Sequence, residues 1–195
     1  MILHTESEQK HIHNDFAPFH LAPGDSTFKH NVFIDLNYNR SLICDKVFNR
    51  IIKGIRRITW NSVVTNEVDK ICSMFHGNAL GVSVRSWTAS HENNIKRSYN
   101  KEKYITEIKR IACENNIKTI FLSCDNPNLY DDYIETLKNF NIITYNRPED
   151  ITELQYVCTK LLVLSKCKFL IGNSLSTFTE VSFWLSECQQ IVVPI

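Results

Sequence analysis

From residue 80 onward, short apolar runs alternate with longer amphipathic segments, and this alternation most constrains the fold. The short runs predict strands at residues 80–84, 118–124, 142–145, 169–171 and 191–194. The longer segments carry apolar residues every three or four positions and predict helices at residues 101–116, 128–140, 151–166 and 176–187. Buried strands separated by helices are typical of parallel βαβ units. The sequence therefore predicts an open, doubly wound, Rossmann-like parallel sheet.

The chain before this alternation divides into a polar part and a helical part. Residues 1–31 are rich in histidine and interrupted by proline and glycine, so they predict a polar leader or irregular arm. Two helices are predicted at residues 39–57 and 61–75, and residues 32–195 are predicted to form one domain. Within the later helices, Ile134 and Leu154 are predicted to face the core.

Composition excludes several classes of function. The formal net charge is +1, so the chain has no overall basic field for binding nucleic acid. The five glycines stand apart, which excludes a G-x-G-x-x-G motif and a Walker loop. No apolar run reaches the ~18 residues of a membrane span, and no secretion signal is evident. The seven cysteines are widely spaced without a C-x-x-C pair, which predicts free thiols, no zinc site and a cytoplasmic location.

Polar side chains follow three of the predicted strands at the edge where such sheets bind ligands. Arg85 follows the first strand and Asp125 the second. The fourth strand ends at Gly172 and is followed by amide and hydroxyl side chains at Asn173, Ser174, Ser176 and Thr177. A helix that begins among hydroxyls is suited to an anion, and an arginine nearby can hold the same anion. These residues predict a nucleotide diphosphate site, with Asp125 accepting hydrogen bonds from the nucleoside.

The same segments resemble the GDP-fucose protein O-fucosyltransferase family. LSKCKFLIGNSLSTF, at residues 164–178, is similar to a strand of that family ending in Ile-Gly-Asn and a Ser-Ser-Phe-like turn. Ser176, Thr177 and Phe178 match this turn. The resemblance extends over about residues 60–195.

Two further strands carry the resemblance. GVSVRSW, at residues 81–87, is similar to the strand that bears the H-x-R motif of fucosyltransferases. Arg85 matches the motif arginine, and Ser83 stands at the position of the motif histidine. IFLSCD, at residues 120–125, is similar to a family strand that ends in an acidic residue.

The resemblance implies one lobe of a GT-B glycosyltransferase. It implies a metal-independent transfer of fucose, or a related sugar, from a GDP-sugar to a hydroxyl of a glycan or protein. Arg85 would stabilise the departing GDP, and no cofactor would be needed beyond the donor substrate. The remaining nucleotide-sugar contacts implied or predicted are Ser83, Asp125, Asn173, Ser174, Ser176, Thr177 and Phe178. A second lobe or a partner chain would complete the enzyme.

Alternatives remain for the general base, for a further lining residue and for the class of function. His91 and Glu92 follow the first strand in a polar segment, and either is a candidate general base for the acceptor hydroxyl. Trp87 is a candidate lining residue. A non-catalytic nucleotide-sugar or glycan binding module is the alternative to a transferase. A hydrolase is disfavoured because Gly172–Ser176 lacks the second glycine of a nucleophile elbow.

Overall fold

Five parallel strands form one sheet in the computed structural model, which describes residues 38–43, 45–75, 78–86, 99–173 and 176–195. The strands are β1 (Ala79–Val84), β2 (Thr119–Cys124), β3 (Asn141–Thr144), β4 (Phe169–Gly172) and β5 (Ile191–Pro194). Their order across the sheet is β3-β2-β1-β4-β5. This is the order of a doubly wound Rossmann-like sheet, and the predicted fold class is confirmed.

Six α-helices surround the sheet in the described ranges. They are α1 (Asp45–Ile55), α2 (Ser62–Ser73), α3 (Lys101–Glu114), α4 (Tyr130–Thr136), α5 (Glu153–Lys166) and α6 (Thr177–Leu185). Buried residues of α1, α2, α5 and α6 share one core with one face of the sheet. Buried residues of α3 and α4 share a second core with the opposite face. All-parallel sheets need such cover on both faces.

Several helices are shorter than the apolar pattern predicts. The first predicted helix starts only at Asp45, because a 3₁₀ turn over Arg40–Leu42 comes before it. The helix predicted at residues 128–140 covers Tyr130–Thr136 and also follows a 3₁₀ turn, whose first amide groups are capped by the Asn126 side chain. The polar leader predicted at residues 1–31 lies outside the described residues.

Two predictions of inward-facing side chains are wrong. Ile134 is 40% exposed and Leu154 is 73% exposed. Helix α5 is apolar around much of its circumference, so spacing alone does not fix which side meets the core. Its C-terminal half is buried against α2, α6 and the sheet, whereas its first turn faces solvent at Leu154.

The strand register places small side chains at the carboxyl edge of the sheet. Ser83 of β1 pairs with Ser123 of β2 on one side and with Gly172 of β4 on the other. The chain reverses its direction of progress between β1 and β4, and ligands of open α/β sheets bind at this switch point. Within the described ranges, no helix combines the length and apolar character that crossing a bilayer demands.

Candidate functional site

A cavity of about 680 Å³ lies at the carboxyl edge of β1 and β2, beside the start of α6. Its volume is in the range of ordinary ligand sites, about 300–1,000 Å³. Six residues predicted from the sequence line it: Ser83, Arg85, Asp125, Ser176, Thr177 and Phe178. Asn173 follows β4 at the same edge but is not among the lining residues. Ser174, Trp87, His91 and Glu92 lie outside the described residues.

The start of α6 forms one wall of this cavity. Ser176 precedes the helix and is buried, but its hydroxyl makes no capping hydrogen bond to the first turn. The simple capping role that a serine at this position suggests is therefore absent. The positive end of the helix faces a cavity lined by Ser176 and Thr177, and such an end favours an anion.

The exits of β1 and β2 are tied together by Asp125. Its carboxylate accepts hydrogen bonds from the Ser86 backbone N–H at 2.9 and 3.0 Å and from the Ser86 hydroxyl at 2.8 Å. The Asp125 N–H donates to the Val84 carbonyl at 3.2 Å. These bonds fix the segment that carries Arg85, a positioning role that the sequence analysis did not include. The predicted contact of Asp125 with a nucleoside stays a prediction, and the carboxylate is exposed at the cavity.

We expect Asp125→Asn to loosen this segment, because the amide group replaces one acceptor oxygen with a donor. Amide hydrogen exchange at Ser86 should accelerate about tenfold, the effect of losing roughly one hydrogen bond. The global free energy of unfolding should change little, since the bonds are at the surface. Asp150→Asn, at another exposed aspartate, is the control and should leave Ser86 exchange unchanged. Equal exchange in the wild type and Asp125→Asn would show that Asp125 does not hold the segment.

The cavity is also lined by residues of α5, of α4 and of the turn before α4 that the sequence analysis missed. They are Pro127, Tyr130, Glu153, Tyr156, Val157 and Lys160. The Tyr130 hydroxyl accepts a hydrogen bond from the Cys124 N–H at 3.1 Å, and the Tyr156 hydroxyl donates to the Tyr145 carbonyl at 3.1 Å. Burial raises the pKa of both phenols, so both are neutral at physiological pH.

Lys160 is the most unusual of these missed residues, because it is a buried cation. It is 7% exposed, and its Nζ donates to the Cys124 carbonyl at 3.0 Å. Burial lowers the pKa of its ammonium group, while the negative charge of Asp125 opposes this effect. A single lysine inside the apolar stretch of residues 157–164 was the available sequence signal.

Metal binding finds no support in the described side chains. The described ranges contain no group of three or more histidine, cysteine, aspartate or glutamate residues placed to hold a metal ion. Six cysteines are described and all six are free thiols. The side chains with polar atoms at the cavity offer hydroxyls, cations and isolated carboxylates.

No protein-family model matches the chain, and no curated protein sequence matches it either. Solved structures do match. The crystal structure of POFUT1 in its apo form superposes with a TM-score of 0.56 at 16% identity, over 79% of this chain and 51% of POFUT1. POFUT1 in complex with GDP gives a TM-score of 0.55 at 15% identity over the same shares. POFUT1 in complex with GDP-fucose gives 0.53 at 17% identity, over 77% and 48%.

The likeness to POFUT1 is a likeness of fold. The chain spans about half the length of the POFUT1 structures it matches. Its five-stranded sheet and the helices on both faces account for most of its described residues. The chain is an open, doubly wound α/β domain with the fold found in the GT-B fucosyltransferase POFUT1.

Proposed function

We propose that the chain binds a nucleoside diphosphate sugar, with GDP-fucose or a related GDP-sugar as donor, and serves in transfer of the sugar to a hydroxyl of a glycan or protein. The observation that carries this proposal is the cavity at the switch point. It gathers Arg85 of the β1 exit and the α6 start into one site, in a fold shared with a protein crystallised with GDP and GDP-fucose.

Each wall of the cavity has a role in this proposal. The α6 start and the hydroxyls of Ser176 and Thr177 receive the diphosphate, and Arg85 neutralises charge that develops on the departing GDP. Ser83 offers a hydroxyl on the floor of the cavity. The charge is neutralised by protein groups, so we propose a transfer without a resident metal ion.

The described residues do not provide the acceptor site of the proposed transferase. A second lobe or a partner chain would bring the acceptor hydroxyl to the sugar. His91 or Glu92 remains the proposed general base for that hydroxyl.

Calorimetric titration with GDP tests the binding step. We expect the wild type to bind GDP and Arg85→Ala to bind it at least about tenfold more weakly, because one charge-assisted contact to phosphate is lost. Arg50→Ala, which removes an exposed arginine on α1, is the matched control and should bind like the wild type. Equal affinity of Arg85→Ala and wild type would remove Arg85 from the site, and absence of GDP binding by the wild type would contradict the proposal.

A non-catalytic nucleotide-sugar binding module is the second candidate, favoured by Ser83 at the position where the resembled motif has a histidine. Release of free GDP from GDP-fucose discriminates between the two candidates. Turnover of the donor that disappears in Arg85→Ala supports the transferase. Binding without any turnover, in the presence of a mixture of glycan and protein acceptors, supports the module.

A further inference from the structure

Lys160 is a buried ammonium group that forms no direct ion pair with a described carboxylate, although the charges of Asp125 and Glu153 act on it from a greater distance. It forms none of the ion pairs found among the described residues. Among the described residues, its Nζ forms hydrogen bonds with the Cys124 carbonyl, at 3.0 Å, and the Tyr156 hydroxyl, at 3.5 Å. A buried charge without a directly paired counter-charge is costly, so its place beside the cavity needs a reason.

The ammonium group has donor capacity left for a ligand. An ammonium carries three N–H donors and no acceptor. The Cys124 carbonyl takes one donor at good hydrogen-bond length, and the longer contact to Tyr156 takes a second weakly. The third donor has no acceptor among the described residues, and Lys160 lines the cavity.

The surroundings of Lys160 favour a flat ring over a phosphate. Tyr130, Tyr156, Pro127 and Val157 line the same cavity as Lys160. The Lys160 Nζ lies 4.8 Å from the centre of the Tyr156 ring. Aromatic and apolar side chains of this kind accommodate the faces of a nucleobase. The hydroxyl-lined start of α6, contributed by a different helix, suits the phosphates better.

We propose that Lys160 selects the base of the bound nucleotide by donating a hydrogen bond to a keto oxygen at the base edge. Guanine presents such an oxygen at C6, and uracil presents one at C4. Adenine and cytosine present an amino donor at the corresponding position, which would face the ammonium donor with no acceptor between them. This assignment rests on the proposed nucleotide-sugar function and names the residue that makes the site specific for a keto base.

Affinities for GDP, IDP and ADP test this assignment, because IDP keeps the C6 oxygen but lacks the 2-amino group. We expect the wild type to bind GDP and IDP at least about tenfold more tightly than ADP, since a donor left facing a donor loses a charge-assisted hydrogen bond. Lys160→Met should weaken GDP and IDP by about tenfold or more and should not weaken ADP, which no longer faces a charged donor, so that the preference disappears. Arg85→Ala provides the contrast and should weaken all three ligands together.

Each other outcome overturns the assignment. Equal weakening of GDP, IDP and ADP in Lys160→Met would place the ammonium on the diphosphate. Unchanged binding would remove Lys160 from the site. If Lys160→Met does not fold, Lys160→Leu, which also removes the donor, replaces it, and wild-type binding of ADP as tight as that of GDP overturns the assignment without any variant. Failure of the wild type to bind any of the three ligands contradicts the proposed function itself, a result distinct from binding without base preference.

Discussion

Gly172→Ala is expected to destabilise the protein by about 2–3 kcal/mol, the cost of forcing a methyl group into a closely packed site. A Cβ at residue 172 would collide with the Thr179 Oγ1 and lie 2.8 Å from its Cγ2 and 3.1 Å from its Cβ. Rotation of Thr179 gives little relief, because a β-branched side chain on a helix has few allowed rotamers. The glycine is therefore required by the close approach of α6 to the end of β4.

The double variant Gly172→Ala/Thr179→Ala tests this explanation. Removing Oγ1 and Cγ2 removes the two shortest contacts and leaves the one at 3.1 Å, so the second substitution should restore most of the lost stability. Thr179→Ala alone should cost little, because its buried hydroxyl has no hydrogen-bond partner among the described residues. Denaturant unfolding of the two single variants and the double variant yields the coupling energy directly.

Gly54→Ala is the matched control for the first substitution. Gly54 lies in α1, and a Cβ there would have no described atom within 4 Å. The same chemical change should stabilise this helix by about 0.5–1 kcal/mol, because alanine loses less backbone entropy than glycine. A Gly172→Ala variant as stable as the wild type, or stabilised as Gly54→Ala is, would contradict the collision with Thr179.

The strands were predictable because their signal is local and continuous. Each is a short run of apolar residues, and burial on both faces of a parallel sheet requires such runs. The residues that follow the strands were predictable for a related reason. Parallel strands bring their carboxyl ends to one edge, so Arg85, Asp125 and Ser176 had to lie near one another once the fold class was known.

The cavity residues contributed by α5, by α4 and by the turn before α4 were not predictable in the same way. Lys160 reaches the end of β2 from the second turn of α5, and nothing in the order of the residues specifies how far α5 extends over the sheet edge. The bond between Ser86 and Asp125 joins residues 39 positions apart. Such contacts depend on the packing of helices and loops in three dimensions, whereas periodicity reports only on one element at a time.

Helix α5 shows why the inward face was assigned incorrectly. Leu154 has the spacing of a core residue but is 73% exposed, while Thr159 and Lys160 are buried. A helix that touches the sheet, α2 and α6 has no single apolar stripe. Polar side chains on such a helix are buried when they reach a backbone carbonyl, as Thr159 does with the Gln155 carbonyl at 2.9 Å.

Glu180 is expected to make the protein less stable as the pH rises. It is a carboxyl group 1% exposed in α6, and burial raises its pKa well above the ordinary value of 4.5. The Trp184 side chain donates a hydrogen bond that opposes this rise, but the Oε1 atom has no partner among the described residues. The protonated form is therefore favoured in the folded protein, and the charged form in the unfolded chain.

The direction of the pH effect follows from proton binding. Above pH 4.5 the unfolded chain releases the Glu180 proton while the folded protein retains it. The protonated carboxyl therefore makes its full contribution to stability below pH 4.5, and this contribution falls as the pH rises toward the folded-state pKa. Each unit by which that pKa is raised corresponds to about 1.4 kcal/mol.

Denaturant unfolding of Glu180→Gln and wild type at pH 5 and pH 8 measures this effect. The amide keeps a carbonyl oxygen for Trp184 and does not titrate. From pH 5 to pH 8 the free energy of unfolding of the wild type should therefore fall by at least about 1.4 kcal/mol more than that of Glu180→Gln. Glu187→Gln is the control, because Arg56 lowers the pKa of Glu187, so this carboxyl does not retain its proton toward neutral pH as Glu180 does. Parallel stability curves for wild type and Glu180→Gln would mean that the folded protein holds Glu180 ionised, through a counter-charge outside the described residues.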